Sequence, residues 1–206
     1  SGAAAVVGAM KSISQIKPKV NVEAYIPLVE NMPGGGAFRV SDILEYRNGV
    51  SVEIGNTDAE GRLILADGLI WASETKPDVI IDLATLTGAI VIALGEKIAA
   101  AMSNNDNMRT KVLEASERAG ERFWPMPLPE DYRKDIDTPV ADVINTGKRY
   151  GSSLTAGLFL REFVGDVPWV HLDIAGPAFL DSTDGENIAG GTGFAVRTLV
   201  EFVETF

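Results

Sequence analysis

The sequence predicts an α/β fold in which a mostly parallel sheet is covered by helices on both faces. Residues 78–84 and 169–174 form short, continuous apolar runs, which are typical of strands buried on both faces of a parallel sheet. Apolar residues recur at helical spacing in four further segments: 62–73, 109–118, 152–164 and 194–205. Strands that alternate with helices along a chain build a parallel sheet covered on both sides.

Local patterns predict the remaining elements. Residues 1–10 are small and apolar and predict an opening helix, for which Ser1 is the only available N-cap. Residues 19–29 are rich in β-formers and predict a strand, although Pro27 makes it a poor central strand. Shorter patterns predict a loop and two more strands: 31–36, 50–54 and 98–102. Since no linker or long repeat interrupts the 206 residues, the sequence predicts a single domain.

Composition excludes several classes of protein. The chain is 46% hydrophobic and 23% charged, which is typical of a globular protein. It has no cysteine, so a disulfide framework and a thiolate zinc site are both excluded. A net charge of −11 repels phosphate backbones, so we expect no nucleic-acid partner. No apolar run reaches the roughly 18 residues of a membrane span, and no secretory signal opens the chain. We therefore expect no membrane association and a cytoplasmic location.

The segment Asn56-Thr57-Asp58-Ala59-Glu60-Gly61-Arg62 carries the strongest chemical signal. It joins a predicted strand to a predicted helix, and residues two apart in an extended segment point to the same side. Asp58 and Glu60 can therefore converge, and paired carboxylates repel each other unless a proton or a cation lies between them. Mg²⁺ and Mn²⁺ favour such oxygen ligands and Zn²⁺ accepts them, while Arg62 is suited to hold an anion. The alternative is a structural pattern of helix-capping and first-turn acids.

Two carboxylates do not complete a metal site. The only histidine is His171, which lies between Val170 and Leu172 in a predicted strand and is interpreted as a core residue. The remaining ligands are therefore expected to lie outside this chain. This expectation agrees with the start of the chain inside a helix without an initiator Met, which indicates a piece of a longer protein. A natural short start is the alternative.

Three predicted strands end in polar or glycine-containing turns, which are 55–58, 85–88 and 175–177. Ligands of α/β sheets bind beyond the carboxyl ends of the strands, so these turns are expected to line one site.

The weaker signals in the sequence have structural interpretations. Residues 33–36 lack the Lys-Ser/Thr of a phosphate-binding loop and predict a flexible loop. Asp82 and Asp173 end buried strands and predict buried, hydrogen-bonded structural roles, with support of a residue that binds metal as the alternative. The basic cluster 147–151 predicts a solvated loop.

Residues 56–63 are similar to the signature of the leucyl aminopeptidase family, whose members are cytosol aminopeptidases with two metal ions. Further blocks resemble the family in the same order, namely 79–89, 124–128, 141–145 and 171–176. The resemblance implies a three-layer α/β/α fold with a mostly parallel mixed sheet, as in zinc exopeptidases. It also implies that residues 1–206 are the C-terminal portion of the catalytic domain. The N-terminal domain and the first part of the catalytic domain are absent from this sequence.

The resemblance implies a role for each matching residue. Asp58 and Glu60 match metal ligands, with Glu60 bridging two divalent ions, which are Mn²⁺ or Zn²⁺ with Mg²⁺ as an alternative. Arg62 matches an arginine that holds a bicarbonate ion, which serves as general base. Matches to substrate-binding positions are Asn56, Thr85, Leu86, Gly88, Ala175 and Ala178. One lysine and two aspartates that bind metal, and a second, catalytic lysine, precede the position of Ser1 in the family.

The function expected from this resemblance is hydrolysis of N-terminal residues from peptides, with a leucine-type preference and a two-metal mechanism. The resemblance also implies a homo-hexamer of complete subunits. Because half of the active site is absent, the chain alone is expected to be inactive. A non-catalytic binding or scaffold member of the same family is the main alternative, and a metal-dependent phosphatase is a more distant one.

Overall fold

The computed structural model describes residues 1–185 and 187–206, in which helices and strands alternate along the chain. The helices are Gly2–Ile16 (α1), Gly61–Glu74 (α2), Gly88–Leu94 (α3), Asp106–Ala119 (α4), Ser152–Arg161 (α5) and Val196–Thr205 (α6), with a 3-10 helix at Glu130–Ile136. The strands are Ile43–Glu45 (β1), Ser51–Glu53 (β2), Ile80–Ala84 (β3), Ala99–Ser103 (β4), Phe123–Pro125 (β5), Val143–Ile144 (β6), Trp169–Asp173 (β7), Phe179–Leu180 (β8) and Gly190–Gly191 (β9). The predicted α/β fold is confirmed.

The chain divides into two compact units. Unit 1 contains residues 1–26, 81–126 and 168–206, and unit 2 contains residues 27–80 and 127–167. Each unit is therefore assembled from segments that are distant in the sequence. The assignment of all 206 residues to one domain stays a prediction.

Unit 1 is built on a mixed sheet with the strand order β3-β7-β4-β5. Strand β4 runs parallel to β5 and antiparallel to β7. Every residue of β4 and β7 is buried. Because successive side chains of a strand point to opposite faces, this burial means that both faces of the sheet are covered. Helix α6 packs against α4 and α1, and α3 and α4 pack against β4.

Unit 2 contains a smaller mixed sheet with the strand order β1-β2-β6. Strands β1 and β2 are antiparallel, and β2 and β6 are parallel with Val52 opposite Val143. Helix α5 packs against α2 and against the 3-10 helix. Aromatic rings fill the core, with Phe163 lying 5.0 Å from the ring centroid of Tyr46 and 5.1 Å from that of Phe159.

The prediction of a strand at residues 19–29 is wrong. These residues are irregular, and none of them is buried. Pro18 precedes the segment and Pro27 lies within it, and neither has an N–H to donate to a ladder. Without a buried face the β-forming side chains gain nothing from pairing. The other predicted helices and strands are present, with ends shifted by a few residues. Within the described ranges, no helix combines the length and the apolar character that a membrane span requires.

Candidate functional site

Residues 55–60 form the turn between β2 and α2. The parallel strands β2 and β6 fix the start of this turn. Ser51, at the beginning of β2, donates from its N–H (2.8 Å) and its hydroxyl (2.6 Å) to the carboxylate of Asp142, which directly precedes β6. These hydrogen bonds, led by the one from the hydroxyl, hold the pKa of Asp142 below its usual value. The ladder continues beyond β6, where the N–H of Asn145 donates to the carbonyl of Glu53 at 3.0 Å. The turn therefore begins at a fixed point of the small sheet.

The carboxylates of Asp58 and Glu60 lie in this turn. Asp58 is exposed and Glu60 is half-buried. The N–H of Asp58 donates to Oδ1 of Asn56 at 2.9 Å, which closes a local Asx turn. Glu60 is the N-cap residue of α2 with helical backbone angles (φ −77°, ψ −31°), and its side chain makes no capping hydrogen bond. The two acids therefore do not act as the helix cap that the structural alternative required.

The carboxylates of Asp58 and Glu60 fit part of a metal site. In the described residues no side-chain hydrogen bond or ion pair engages the carboxylate of Asp58 or Glu60. Two carboxylates without internal partners are suitable oxygen ligands for a divalent cation. In the same part of the chain, no three Asp, Glu or His side chains come together as a complete metal-binding group. The described residues supply at most two ligand side chains.

Arg62 lies in the first turn of α2, and only 8% of the residue is exposed. Its guanidinium carbon lies 6.0 Å from the ring centroid of Phe159 on α5. The guanidinium and the N-terminus of α2 both carry positive charge, and the neighbouring ring excludes water on one side. This arrangement favours an anion close to Arg62.

The turn at 85–88 follows β3 in unit 1, and Asp173 at the end of β7 organises it. The carboxylate of Asp173, 1% exposed, accepts the N–H of Leu86 at 3.1 Å and the hydroxyl of Thr87 at 2.7 Å. It also accepts the N–H of Ala175 at 3.3 Å. The structure thus brings together two of the segments in which substrate-binding residues are predicted. The sequence indicated Asp173 as a buried, hydrogen-bonded acid and did not indicate which groups it binds.

The predicted substrate-binding residues differ in exposure. Thr85 and Gly88 are exposed, and Leu86 and Ala175 are half-buried. Ala178 is 2% exposed, and its N–H donates to the carbonyl of Ile174 at 3.2 Å. Residues 56–62 belong to unit 2 and residues 85–88 and 175–178 to unit 1. Their convergence on one site stays a prediction.

His171 is a core residue, as predicted. It is 1% exposed, and its Nδ1 lies 2.7 Å from Oδ1 of Asp82. The other oxygen of Asp82 accepts the indole N–H of Trp169 at 2.6 Å. These contacts give Asp82 the buried, hydrogen-bonded role that the sequence indicated. The cluster 147–151 is a solvated loop, in which exposed Lys148 pairs with Asp135 at 2.6 Å.

The chain resembles known proteins over its whole length. The model of the catalytic domain of the cytosol aminopeptidase family matches residues 1–200. A probable cytosol aminopeptidase of Streptomyces avermitilis is 55% identical over 206 residues, which cover 99% of this chain and 40% of the relative. One of Microcystis aeruginosa is 52% identical over 202 residues, covering 98% of this chain and 41% of the relative. The chain therefore spans about 40% of the length of these curated relatives.

Solved structures share the fold. The bottromycin maturation enzyme BotP in complex with Mn is 46% identical, with a TM-score of 0.95 over 99% of this chain and 46% of that protein. A mutant of tomato leucine aminopeptidase is 45% identical, with a TM-score of 0.91 over 100% of this chain and 40% of that protein. With the family model matched over residues 1–200, this chain belongs to the cytosol aminopeptidase family.

Proposed function

We propose that this chain is the C-terminal portion of the catalytic domain of a metal-dependent aminopeptidase. The complete protein would hydrolyse N-terminal residues, with a leucine-type preference, from peptides. The observation that carries the proposal is the pair of carboxylates at Asp58 and Glu60, which have no side-chain partner among the described residues and lie four and two residues before the buried Arg62. The proposal is also supported by membership of a family whose curated relatives are called probable cytosol aminopeptidases.

Asp58 and Glu60 are the residues of this chain that would hold metal, with Glu60 as the bridging ligand. Two divalent ions, Mn²⁺ or Zn²⁺ with Mg²⁺ as an alternative, would polarise the scissile carbonyl and lower the pKa of a bound water. The Mn complex of a structural neighbour supports Mn²⁺ as the first ion to test. The described residues provide too few ligands for two ions. The remaining ligands are therefore assigned to parts of the complete protein outside residues 1–206.

The other residues of the chain would bind the base and the substrate. Arg62 would hold a bicarbonate ion as general base, because the guanidinium and the N-terminus of α2 both attract an anion. The exposed turn at Thr85–Gly88 would contact the peptide backbone, in a conformation that Asp173 maintains. Ala175 and Ala178 would lie beside the first side chain of the substrate, and Asn56 beside its backbone.

The complete protein is proposed to act in the cytoplasm as a homo-hexamer, with peptides as its substrates. The net charge of −11 carried by residues 1–206 opposes binding to nucleic acid. A non-catalytic scaffold protein of the same family remains the competing proposal. It would keep the fold without turning over peptides.

The test measures turnover of leucine p-nitroanilide by the complete protein with Mn²⁺, after chelation, and with Mn²⁺ restored. Glu60→Gln is expected to reduce turnover far more than tenfold, since an amide cannot neutralise two cations. Glu74→Gln on α2 is the control, because Glu74 is exposed and its one ion pair among the described residues is with Arg47. Turnover that survives chelation, or a loss within tenfold (about 1.4 kcal/mol in barrier), would contradict the proposed roles. Absence of turnover in the unmodified, metal-loaded protein would favour the scaffold alternative.

A further inference from the structure

Asn145 is a buried polar residue whose function neither the sequence pattern nor the family resemblance assigns. It follows β6, and none of its surface is exposed. Its backbone N–H donates to the carbonyl of Glu53 and extends the β2–β6 ladder by one residue. The side chain is thereby directed at the turn that leaves β2.

All the hydrogen-bonding capacity of the Asn145 amide is used on that turn. Its Oδ1 accepts the N–H groups of Gly55 at 2.8 Å and Asn56 at 3.1 Å. Its Nδ2 donates to the carbonyls of Asn56 at 2.8 Å and Ala59 at 3.2 Å. An amide offers two acceptor sites and two donors on adjacent atoms, and these four bonds occupy all of them. A carboxylate has no donors and an aliphatic side chain has neither group, so this pattern requires a side-chain amide.

The turn lies unusually close to the residues that flank Asn145. A Cβ atom on Gly55 would lie 2.6 Å from Cγ2 of Thr146 and 2.7 Å from Cδ1 of Ile144. Real Cβ atoms do not approach other atoms so closely, so any larger residue at position 55 would require the side chains of Ile144 and Thr146 to shift. The close approach lets the N–H of Gly55 reach the Asn145 oxygen.

Held in this way, the turn carries the two carboxylates at defined positions. Asp58 lies between two anchored peptide groups, since Asn145 binds the carbonyl of Asn56 on one side and that of Ala59 on the other. Glu60 directly follows the second anchor and begins α2. A fixed backbone reduces the conformational freedom that the two carboxylates lose when they bind an ion, which favours binding. Asn145 itself is fully buried, so its effect on a bound ion is indirect.

We propose that Asn145 is a positioning residue that preorganises Asp58 and Glu60 for metal binding. This inference rests on the proposed function, because it assumes that these two acids are metal ligands. Partners that orient metal ligands typically change metal affinity by roughly 10–100-fold when they are removed. We therefore expect Asn145→Ala to weaken Mn²⁺ binding by at least about tenfold.

The experiment compares Asn145→Ala with Val143→Ala in the complete protein. Val143 is 1% exposed and lies in β6, two residues before Asn145. Its side chain has no hydrogen-bonding group, so its truncation removes buried apolar contacts alone. Mn²⁺ affinity is measured by titration calorimetry, and exchange of the amide hydrogens of 55–60 is measured without metal. Asn145→Ala is expected to weaken Mn²⁺ binding and to accelerate exchange in this turn. Val143→Ala is expected to lower the unfolding midpoint with Mn²⁺ affinity within about threefold of the unmodified protein.

The outcomes of this experiment test the positioning role of Asn145 separately from the proposed function. Equal Mn²⁺ affinity in Asn145→Ala and Val143→Ala would overturn the positioning role, even if both variants are less stable. If Asn145→Ala does not fold, Asn145→Ser provides the same comparison with a polar side chain too short to reach both carbonyls. If the unmodified protein itself does not bind Mn²⁺, the proposed function fails, and the inference fails with it.

Discussion

At the scale of single residues, Asp173 shows how a buried acid can organise an exposed turn without itself reaching the surface. Burying a carboxylate is costly unless donors surround it. Here the donors are two backbone N–H groups and the Thr87 hydroxyl, all within 3.3 Å. The hydroxyl of Thr87 in turn accepts the N–H of Ile90 and caps α3. One side chain thus determines the positions of the 85–88 turn, the start of α3 and Ala175.

Asp173→Asn is expected to destabilise the complete protein by about 1–3 kcal/mol, because its amide presents N–H groups where the Thr87 hydroxyl now donates. It is also expected to raise KM for peptides more than it lowers kcat, since the 85–88 turn would bind the peptide backbone. Denaturant unfolding and steady-state kinetics measure the two effects. Exposed Asp181 provides the control, because Asp181→Asn removes the same charge without touching the turn. An unchanged KM in Asp173→Asn would show that the turn does not bind substrate.

Tyr46 makes the free energy of unfolding depend on pH in the alkaline range. It is 8% exposed, and its hydroxyl donates to the carbonyl of Leu63 at 2.9 Å. Burial, with a smaller contribution from the charge of Asp67, raises the pKa of Tyr46 well above its usual value. The folded protein therefore keeps the phenol protonated at a pH at which the unfolded chain releases the proton. The stabilisation is complete below the unfolded pKa of about 10 and is lost as pH rises towards the folded pKa.

We expect the free energy of unfolding to decrease by up to about 1.4 kcal/mol per pH unit above pH 10 through Tyr46. Tyr46→Phe should flatten this part of the pH dependence and cost about 1 kcal/mol at neutral pH through the lost hydrogen bond. Denaturant unfolding between about pH 8 and 12 measures both effects. Tyr150, which is 85% exposed, is the control, and Tyr150→Phe should leave the curve unchanged. Parallel curves for Tyr46→Phe and the unmodified protein would refute this linkage.

At the scale of elements, α6 depends on a residue far away in the sequence. Its N-cap residue is Ala195, with φ 76°, and no side chain of the capping residue satisfies the first N–H groups. The carboxylate of Glu121, 4% exposed, accepts the N–H groups of Ala195 and Thr198 at 2.9 Å each and the Thr198 hydroxyl at 2.6 Å. A negative charge at a helix N-terminus is also favoured by the helix dipole.

Glu121→Ala should destabilise the complete protein by about 3 kcal/mol, because it leaves three donors of α6 buried without an acceptor. Amide exchange in α6 should accelerate before exchange in β4, since the lost cap affects that helix first. Glu117→Ala, on the exposed surface of α4, should change stability by less than about 0.5 kcal/mol. A comparable loss in both variants would show that the Glu121 carboxylate does not cap the helix.

At the scale of the whole molecule, the two carboxylates do not provide enough ligands for two metal ions. Asp58 and Glu60 contribute at most two ligand side chains, and a two-metal site requires several more and an open position for water. Residues 1–206 alone are therefore expected to show no aminopeptidase activity and to bind Mn²⁺ weakly or at a single site.

Calorimetric titration of residues 1–206 with Mn²⁺ and a peptide turnover assay test this expectation, with the complete protein as the positive control. Circular dichroism of the isolated chain establishes whether it is folded under the assay conditions. Two tight Mn²⁺ sites together with chelator-sensitive turnover would contradict the prediction. That result would mean that residues of this chain other than Asp58 and Glu60 complete the metal site.

What the sequence determined by itself is the part of the structure that local patterns encode. Continuous apolar runs predicted β3 and β7, and apolar periodicity predicted α2, α4, α5 and α6, because burial of a repeating pattern stabilises one backbone conformation. The position of His171 within such a run predicted its burial. The motif at 56–63 indicated the family. The roles of its residues in metal and substrate binding stay predictions.

Only the tertiary structure determined which distant residues meet. The bonds of Asn145 to the 55–59 turn join positions 86 or more residues apart, and the cap of Glu121 on α6 spans 74 or more. No local periodicity encodes such pairs, because a buried polar group is stabilised by whichever donor or acceptor the packing brings to it. The short strands β5 and β6 arise for the same reason, since partners across the sheet stabilise them. Residues 19–29 lack such partners and stay irregular despite their β-forming side chains.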